Sequence, residues 1–156
     1  MNAREVAVSF VIRTALPSEQ RHLEELERRA GLANPGDREA ILIHPEIIEV
    51  PLEQIVSGDV FVLEAKGVVA GFASVKSRQD GDTDLDGLFV DPVMQRSGFG
   101  RLLVDYCAGI ARARDSKALH VIGNPHAEDF YLACEFEQVG TTETRFGPGL
   151  LMRRTL

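Results

Sequence analysis

Along this chain the spacing of apolar and polar positions changes several times, and each change marks an element. Val6 to Thr14 is an apolar, β-branched run and predicts a first strand. Pro17-Ser18-Glu19 opens a helix predicted to reach about Ala30, with Gly31 as its stop. Leu23, Leu26 and Ala30 fall on one face, while Glu24–Arg28 and Glu25–Arg29 are spaced as i,i+4 pairs on the other. That charge run is read as a solvated helix surface, not a binding patch. Pro35, Pro45 and Pro51 cut residues 32–58 into short pieces, with helices predicted near Asp37–His44 and Leu52–Val56.

After Gly58 the period shortens to that of strands. DVFVLEA and VVAGFASVK are joined by Lys66-Gly67, a tight-hairpin signal, and DLDGLFV completes an antiparallel meander. A helical stripe follows: Phe99, Leu102, Leu103, Tyr106, Cys107 and Ile110 recur at helical spacing. Ala118 to Ile122 is a short strand. Asn124-Pro125 opens a helix ending near Cys134, with Asn as N-cap, Pro in the first turn and Glu128 and Asp129 where the helix dipole favours acids. Phe136 to Arg145 and Leu150 to Thr155 end the chain as strands around a turn at Gly147-Pro148-Gly149. The order predicts one mixed α/β domain over residues 1–156, a length that supports a full core.

Composition removes several classes of function. A net charge of −7 argues against a nucleic-acid binder, whose footprint is a basic face. The acidic excess suits a cationic partner such as an amine, and solubility alone explains it equally well. Two cysteines, Cys107 and Cys134, make neither a disulfide framework nor a metal-ligand spacing, and both lie in apolar helical patterns as buried thiols. There is no signal-peptide pattern and no apolar span of membrane length, so a cytoplasmic protein is expected, with no metal.

One stretch stands apart. In VDPVMQRSGFGRLLVDYC an apolar strand gives way to a polar turn, two glycines and the striped helix. The first amides of a helix have no intrahelical acceptor and the dipole is positive there, so such a turn binds anions. Glycine admits phosphate oxygens to the backbone, and Arg96 and Arg101 add charge. The same glycines also suit a plain tight connection. The absence of Gly-Lys-Ser/Thr argues against a Walker A loop, and Leu103, standing where a third glycine belongs, argues against a dinucleotide fingerprint.

GLFVDPVMQRSGFGRLLVDYC resembles the acetyl-coenzyme A-binding motif of the GNAT N-acetyltransferase superfamily, Q/R-x-x-G-x-G/A after a strand ending apolar-V-x-P. NPHAEDFYLACEF is similar to that family's second segment, with Asn124, Ala127, Phe130, Tyr131 and Phe136 in register. One position departs: Glu135 stands where the family usually has Gly, at a site favouring left-handed dihedrals. A strained or reshaped helix end is expected there.

The resemblance implies a mostly antiparallel sheet flanked by helices, with a splayed pair of central strands. It also implies that backbone at Arg96, Ser97, Gly98, Phe99, Gly100 and Arg101 holds the pyrophosphate of acetyl-CoA. The main chain of Leu88, Phe89 and Val90 then pairs with the pantetheine arm like an added strand. Asn124, Ala127 and Phe130 lie along that arm; Asn124 is also explained as an N-cap, and Leu88 and Val90 as core. Tyr131 is implied as the acid that protonates the departing sulfur, and alternatively as a core aromatic. Asp84 and Asp86 alternate along the strand before the turn and share one face by regular alternation. The resemblance implies an acid in this strand and Asp84 best matches its common position, with either residue a candidate base or ammonium anchor, or a solvated acid at a strand end.

The implied activity is acetyl transfer from acetyl-CoA to a primary amine by direct attack in a ternary complex. The alternative is a non-catalytic acyl-CoA-binding or regulatory module on the same fold. A cationic acceptor is expected, such as a polyamine, aminoglycoside, amino-acid amine or protein N-terminus, with neither nucleic acid nor membrane as partner. Dimerisation through the C-terminal strands is common among look-alikes.

Overall fold

The computed structural model describes residues 9–156. Seven strands form one sheet in the order β1-β2-β3-β4-β5-β7-β6: β1 (Phe10–Thr14), β2 (Val60–Ala65), β3 (Val68–Ser77), β4 (Thr83–Val90), β5 (Ala118–Gly123), β6 (Glu137–Thr144) and β7 (Gly147–Thr155). Neighbours are antiparallel except β4 and β5. The part of the first predicted strand before Ser9 lies outside the described residues. Lys66 and Gly67 make the β2–β3 hairpin with φ of 54° and 78°, the paired positive dihedrals of a two-residue turn that matches strand twist.

Helices cover both faces. On one, α4 (Phe99–Ala113) and α5 (Glu128–Ala133) bury a cluster that includes Leu85, Leu103, Cys107, Leu119, Tyr131 and Met152. On the other, α1 (Gln20–Ala33) and α3 (Leu52–Val56) press Leu23, Leu26 and Ile55 onto Val60, Val62 and Phe72. The short α2 (Arg38–Ile43) packs on α1. No helix among the described residues is long and apolar enough to cross a membrane.

Several sequence expectations need correction. Gly31 does not stop α1, which runs on to Ala33; it is buried, and a Cβ there would collide with Ile41 of α2, so it is a close-packing position. The final turn lies at Arg145-Phe146, because Gly147, Pro148 and Gly149 already pair with β6. In α4 the fully buried line is Phe99, Leu103, Val104, Cys107, Ala108 and Ala111, with Leu102, Tyr106 and Ile110 on its half-buried flank. The charged side of α1 is not uniformly solvated. Glu24 Oε2 accepts the Val50 backbone N–H at 3.0 Å, and Arg29 reaches Asp91 at 2.8 Å instead of Glu25.

Candidate active site

A cleft of about 1130 Å³ opens where β4 leaves β5. The two strands pair only at Thr83–Leu119 and Asp84–His120. An extra residue in β4 accompanies the separation: Ser74 faces Gly87 and Val75 faces Leu85, which leaves Asp86 as a bulge. A bulged strand bends and twists away from its neighbours. Regular alternation, assumed for this strand from sequence, breaks there, since Leu85 and Leu88 both pack toward α4 despite being three apart. From Leu85 to Val90 the edge of β4 that would face β5 has no strand partner among the described residues. Leu88, Phe89 and Val90 all line the cleft.

The glycine turn forms its floor. Gly98 is the N-cap of α4 with φ of 85°, and among the described residues nothing lies within 4 Å of where its Cβ would stand. Arg96 also has a positive φ, 65°. The Leu102 N–H makes a helical bond to the Gly98 carbonyl at 3.1 Å, so the amides of Phe99, Gly100 and Arg101 precede the helical ladder and remain donors. Ser97 Oγ donates to the Met94 carbonyl and shapes the turn. Arg96 and Arg101 are exposed at the rim, Arg101 lying 3.9 Å from Asp105. Gly100 has a different task. A Cβ there would meet the Phe130 ring at 3.1 Å, so this glycine lets α5 approach α4.

The second wall is built by β5 and the segment after it. Asn124 Oδ1 accepts the His126 backbone N–H at 2.9 Å, capping a 3-10 turn over Pro125–Ala127 that leads into α5. Ala127 and Phe130 line the cleft. Tyr131 lies over Gly123, where a Cβ would stand 3.1 Å from its ring, and contacts Phe130 and Phe136 edge-on. Burial is the main force on the Tyr131 phenol, with the charges of Cys134 and Asp37 adding to it; its pKa is pushed up to about 12. The phenol therefore stays protonated throughout the neutral range.

The candidate acids part company. Asp86 lines the cleft, held by Gln54 Nε2 at 3.3 Å and Lys76 Nζ at 3.7 Å. Asp84 is not part of the cleft lining; Arg78 takes it at 2.8 Å. Two further carboxylates come to the area from α1 and its following turn. Asp37 lines the cleft and accepts from Asn124 Nδ2 at 3.2 Å. Glu27 lines a smaller pocket of about 110 Å³ that shares Asp86, Gly87 and Phe89 with the cleft. Cys107 and Cys134 are buried, and burial raises both thiols, Cys107 to about 12, so neither is a nucleophile. Asp80, Asp82 and His120 cluster at the opposite end of β4. Arg78 occupies Asp80 there, while Asp82 accepts from His120 at 2.8 Å and from the Lys117 and Ala118 amides.

This architecture has relatives. The family model for the acetyltransferase (GNAT) family matches residues 23–136, which contain both the glycine turn and the Asn124–Phe136 segment. The chain belongs to the GNAT family. No curated protein sequence matches it. Among solved structures, a GCN5-related N-acetyltransferase from Rhodopseudomonas palustris is similar at a TM-score of 0.78 and 22% identity, over 97% of this chain and 98% of that one. The PaiA N-acetyltransferase of Thermoplasma acidophilum, in complex with coenzyme A, is similar at 0.75 and 18%, over 95% and 99%. YncA of Salmonella typhimurium, with acetyl-CoA, is similar at 0.69 and 20%, over 95% and 94%. At these identities the likeness is one of fold.

The GNAT motifs left two carboxylates of this chain unflagged. Glu27 sits in a run of charges with no spacing to distinguish it, and only the packing of α1 against β4 and Val50 buries it. Asp37 carries a weak signal, an Asp at the head of a predicted helix, which reads as an ordinary cap. The departure at Glu135 takes the form expected. Its φ is 71°, and the Phe136 N–H returns to the Tyr131 carbonyl at 3.0 Å to close α5.

Proposed function

We propose that this GNAT chain transfers acetyl from acetyl-CoA to a primary amine by direct attack within a ternary complex. The observation that carries the reading is the unpaired edge of β4 from Leu85 to Val90, which lines the same cleft as the free amides at the start of α4. An extended amide-bearing arm can pair with the first while its diphosphate meets the second. The space at Gly98 fits that assignment, since a side chain there would stand beside the donors. Acetyl-CoA supplies the acetyl group as an activated thioester.

The chain's own groups handle protons and position. The amine nitrogen must lose a proton as its bond to the acetyl carbon forms, and Asp86 lies on the cleft wall to receive it directly or through water. As the carbon–sulfur bond breaks, the Tyr131 hydroxyl donates its proton to sulfur, and exchange with solvent restores both groups. Asp84, engaged by Arg78, has no part in these steps.

Calorimetric titration with coenzyme A and a thiol-release assay with amines test the reading. Tyr131→Phe is expected to lower kcat by about 10²-fold or more, the usual worth of a placed general acid, with coenzyme A affinity unchanged. Full activity in that variant removes Tyr131 from the mechanism, and absence of coenzyme A binding in the wild type removes the function itself.

A further inference from the structure

We infer that Asp37, on the turn between α1 and α2, is the carboxylate that recognises the acceptor as an ammonium ion at the cleft. This rests on the acetyl-transfer reading above and adds a specificity residue that neither sequence motif contains.

Asp37 occupies the N-cap of α2, where an Asp side chain ordinarily accepts an amide of its own first turn. It makes no such bond. Its carboxylate takes the Asn124 amide instead, and both residues line the cleft. Two features fix that geometry. Asn124 is held by its bond from the His126 N–H, which leaves its Nδ2 to point at Asp37. Gly36 packs so tightly on Asn124 that a Cβ would collide with the amide, and the Gly36 N–H is held by Asn34 Oδ1 at 3.0 Å. The turn is thus seated on the same residue that precedes the Tyr131 helix.

Charge balance separates Asp37 from its neighbours. Asp86 has Lys76, Asp84 has Arg78, and Asp91 has Arg29. Asp37 has no cation within ion-pair distance among the described residues, and its one partner is a neutral amide. It is half-buried, and desolvation pushes its carboxyl above the usual range against the pull of Asn124 and the charge of His126. Glu143 also lines the cleft without a cation among the described residues, but it is exposed and pays no burial cost. A desolvated carboxylate with one neutral donor gains most from an arriving cation. Asp37 and Tyr131 line the same cleft, and the charge of Asp37 is felt at the Tyr131 phenol, so an ammonium beside Asp37 shares the cleft with the proton donor for the sulfur.

Asp37→Asn tests this, because Asn keeps an oxygen for the Asn124 amide and removes only the charge. The full chain is assayed with acetyl-CoA against spermidine, 1,4-diaminobutane, lysine amide, a free tripeptide and kanamycin. Hydroxylamine serves as a nucleophile that is uncharged at neutral pH. Coenzyme A affinity and Tm are measured on both proteins. The expected result is a KM for the best cationic amine raised at least ten-fold, with hydroxylamine turnover, coenzyme A affinity and Tm near wild type. The inference is overturned if KM is unchanged, if hydroxylamine turnover or coenzyme A affinity falls in parallel, or if wild type binds coenzyme A yet acetylates none of the cationic amines. A wild type that fails to bind coenzyme A at all points instead to failure of the acetyl-transfer reading.

Discussion

Glu27 projects from α1 into the small pocket behind β4, and its carboxyl is pushed from an ordinary value of 4.5 to about 8. Burial is the leading cause, followed by the charge of Glu24; the Glu49 main-chain N–H pulls the other way, Asp86 adds to the rise and Arg28 opposes it. A carboxyl whose pKa is raised on folding binds its proton more tightly in the folded chain. Between pH 4.5 and 8 the folded state therefore holds more protons than the unfolded one, and stability falls as pH rises through that window. The difference of about 3.5 units corresponds to roughly 5 kcal/mol at 1.36 kcal/mol per unit. Relaxation and water entry reduce such costs, so about 2–3 kcal/mol is the working figure.

Glu27→Gln removes the ionisation while keeping size and an acceptor oxygen for Glu49. At pH 4 the variant and wild type should melt together, and at pH 9 the variant should melt higher by roughly 5–10 °C, given about 2–4 °C per kcal/mol in a chain of this size. Calorimetry of both proteins at pH 4, 6, 7.5 and 9 reads the gap, and every other titrating group cancels in the comparison. A gap that stays constant across this range, or one that opens toward acid, refutes the assignment of a half-buried, neutral Glu27.

Gly98→Ala and Gly100→Ala should separate the two glycines of the turn. The first forces a side chain to φ of 85° in open space, so it should cost about 1 kcal/mol in Tm measurements and weaken coenzyme A binding in a titration. The second gains helix propensity but pushes the Phe130 ring, so Tm should change little while coenzyme A affinity falls; the reverse order of Tm effects would contradict the packing. Glu135→Gly should stabilise by about 1 kcal/mol in urea unfolding, because it relieves a left-handed φ of 71°. Arg154, which pairs with Glu135 at 3.2 Å, keeps Asp105 at 2.7 Å and the Cys134 carbonyl.

Where local chemistry decides the outcome, the sequence was enough. The hairpin at Lys66-Gly67, the Asn124 cap, the left-handed Glu135 and the element order from Val60 to Cys134 all follow from short-range signals. Gly31 and the Gly147–Gly149 segment misled because glycine also serves close packing and strands, and only the partner decides: Ile41 for the first, β6 for the second. The site was half legible. The turn and the second segment announce themselves, whereas the bulge at Asp86 depends on register with β3, and the roles of Glu27 and Asp37 depend on residues distant in sequence.

Those illegible features share a physical character, which is that each gives up stability near the cleft. β4 forgoes pairing with β5 beyond Asp84, Arg96 accepts a left-handed φ, Asp37 forgoes capping its own helix, and Glu27 is half-buried where its charge is disfavoured. Glu135 carries a similar strain, but its side chain is exposed at the far end of α5 and lies outside the cleft lining. Relief at Glu135 should therefore raise stability with activity intact. Loss of the charge at Asp37 should weaken amine recognition without a matching gain in Tm. A strain that serves the reaction and one that merely survives in the fold are distinguished by that contrast, and finding the two variants alike in their effect on amine KM would dissolve it.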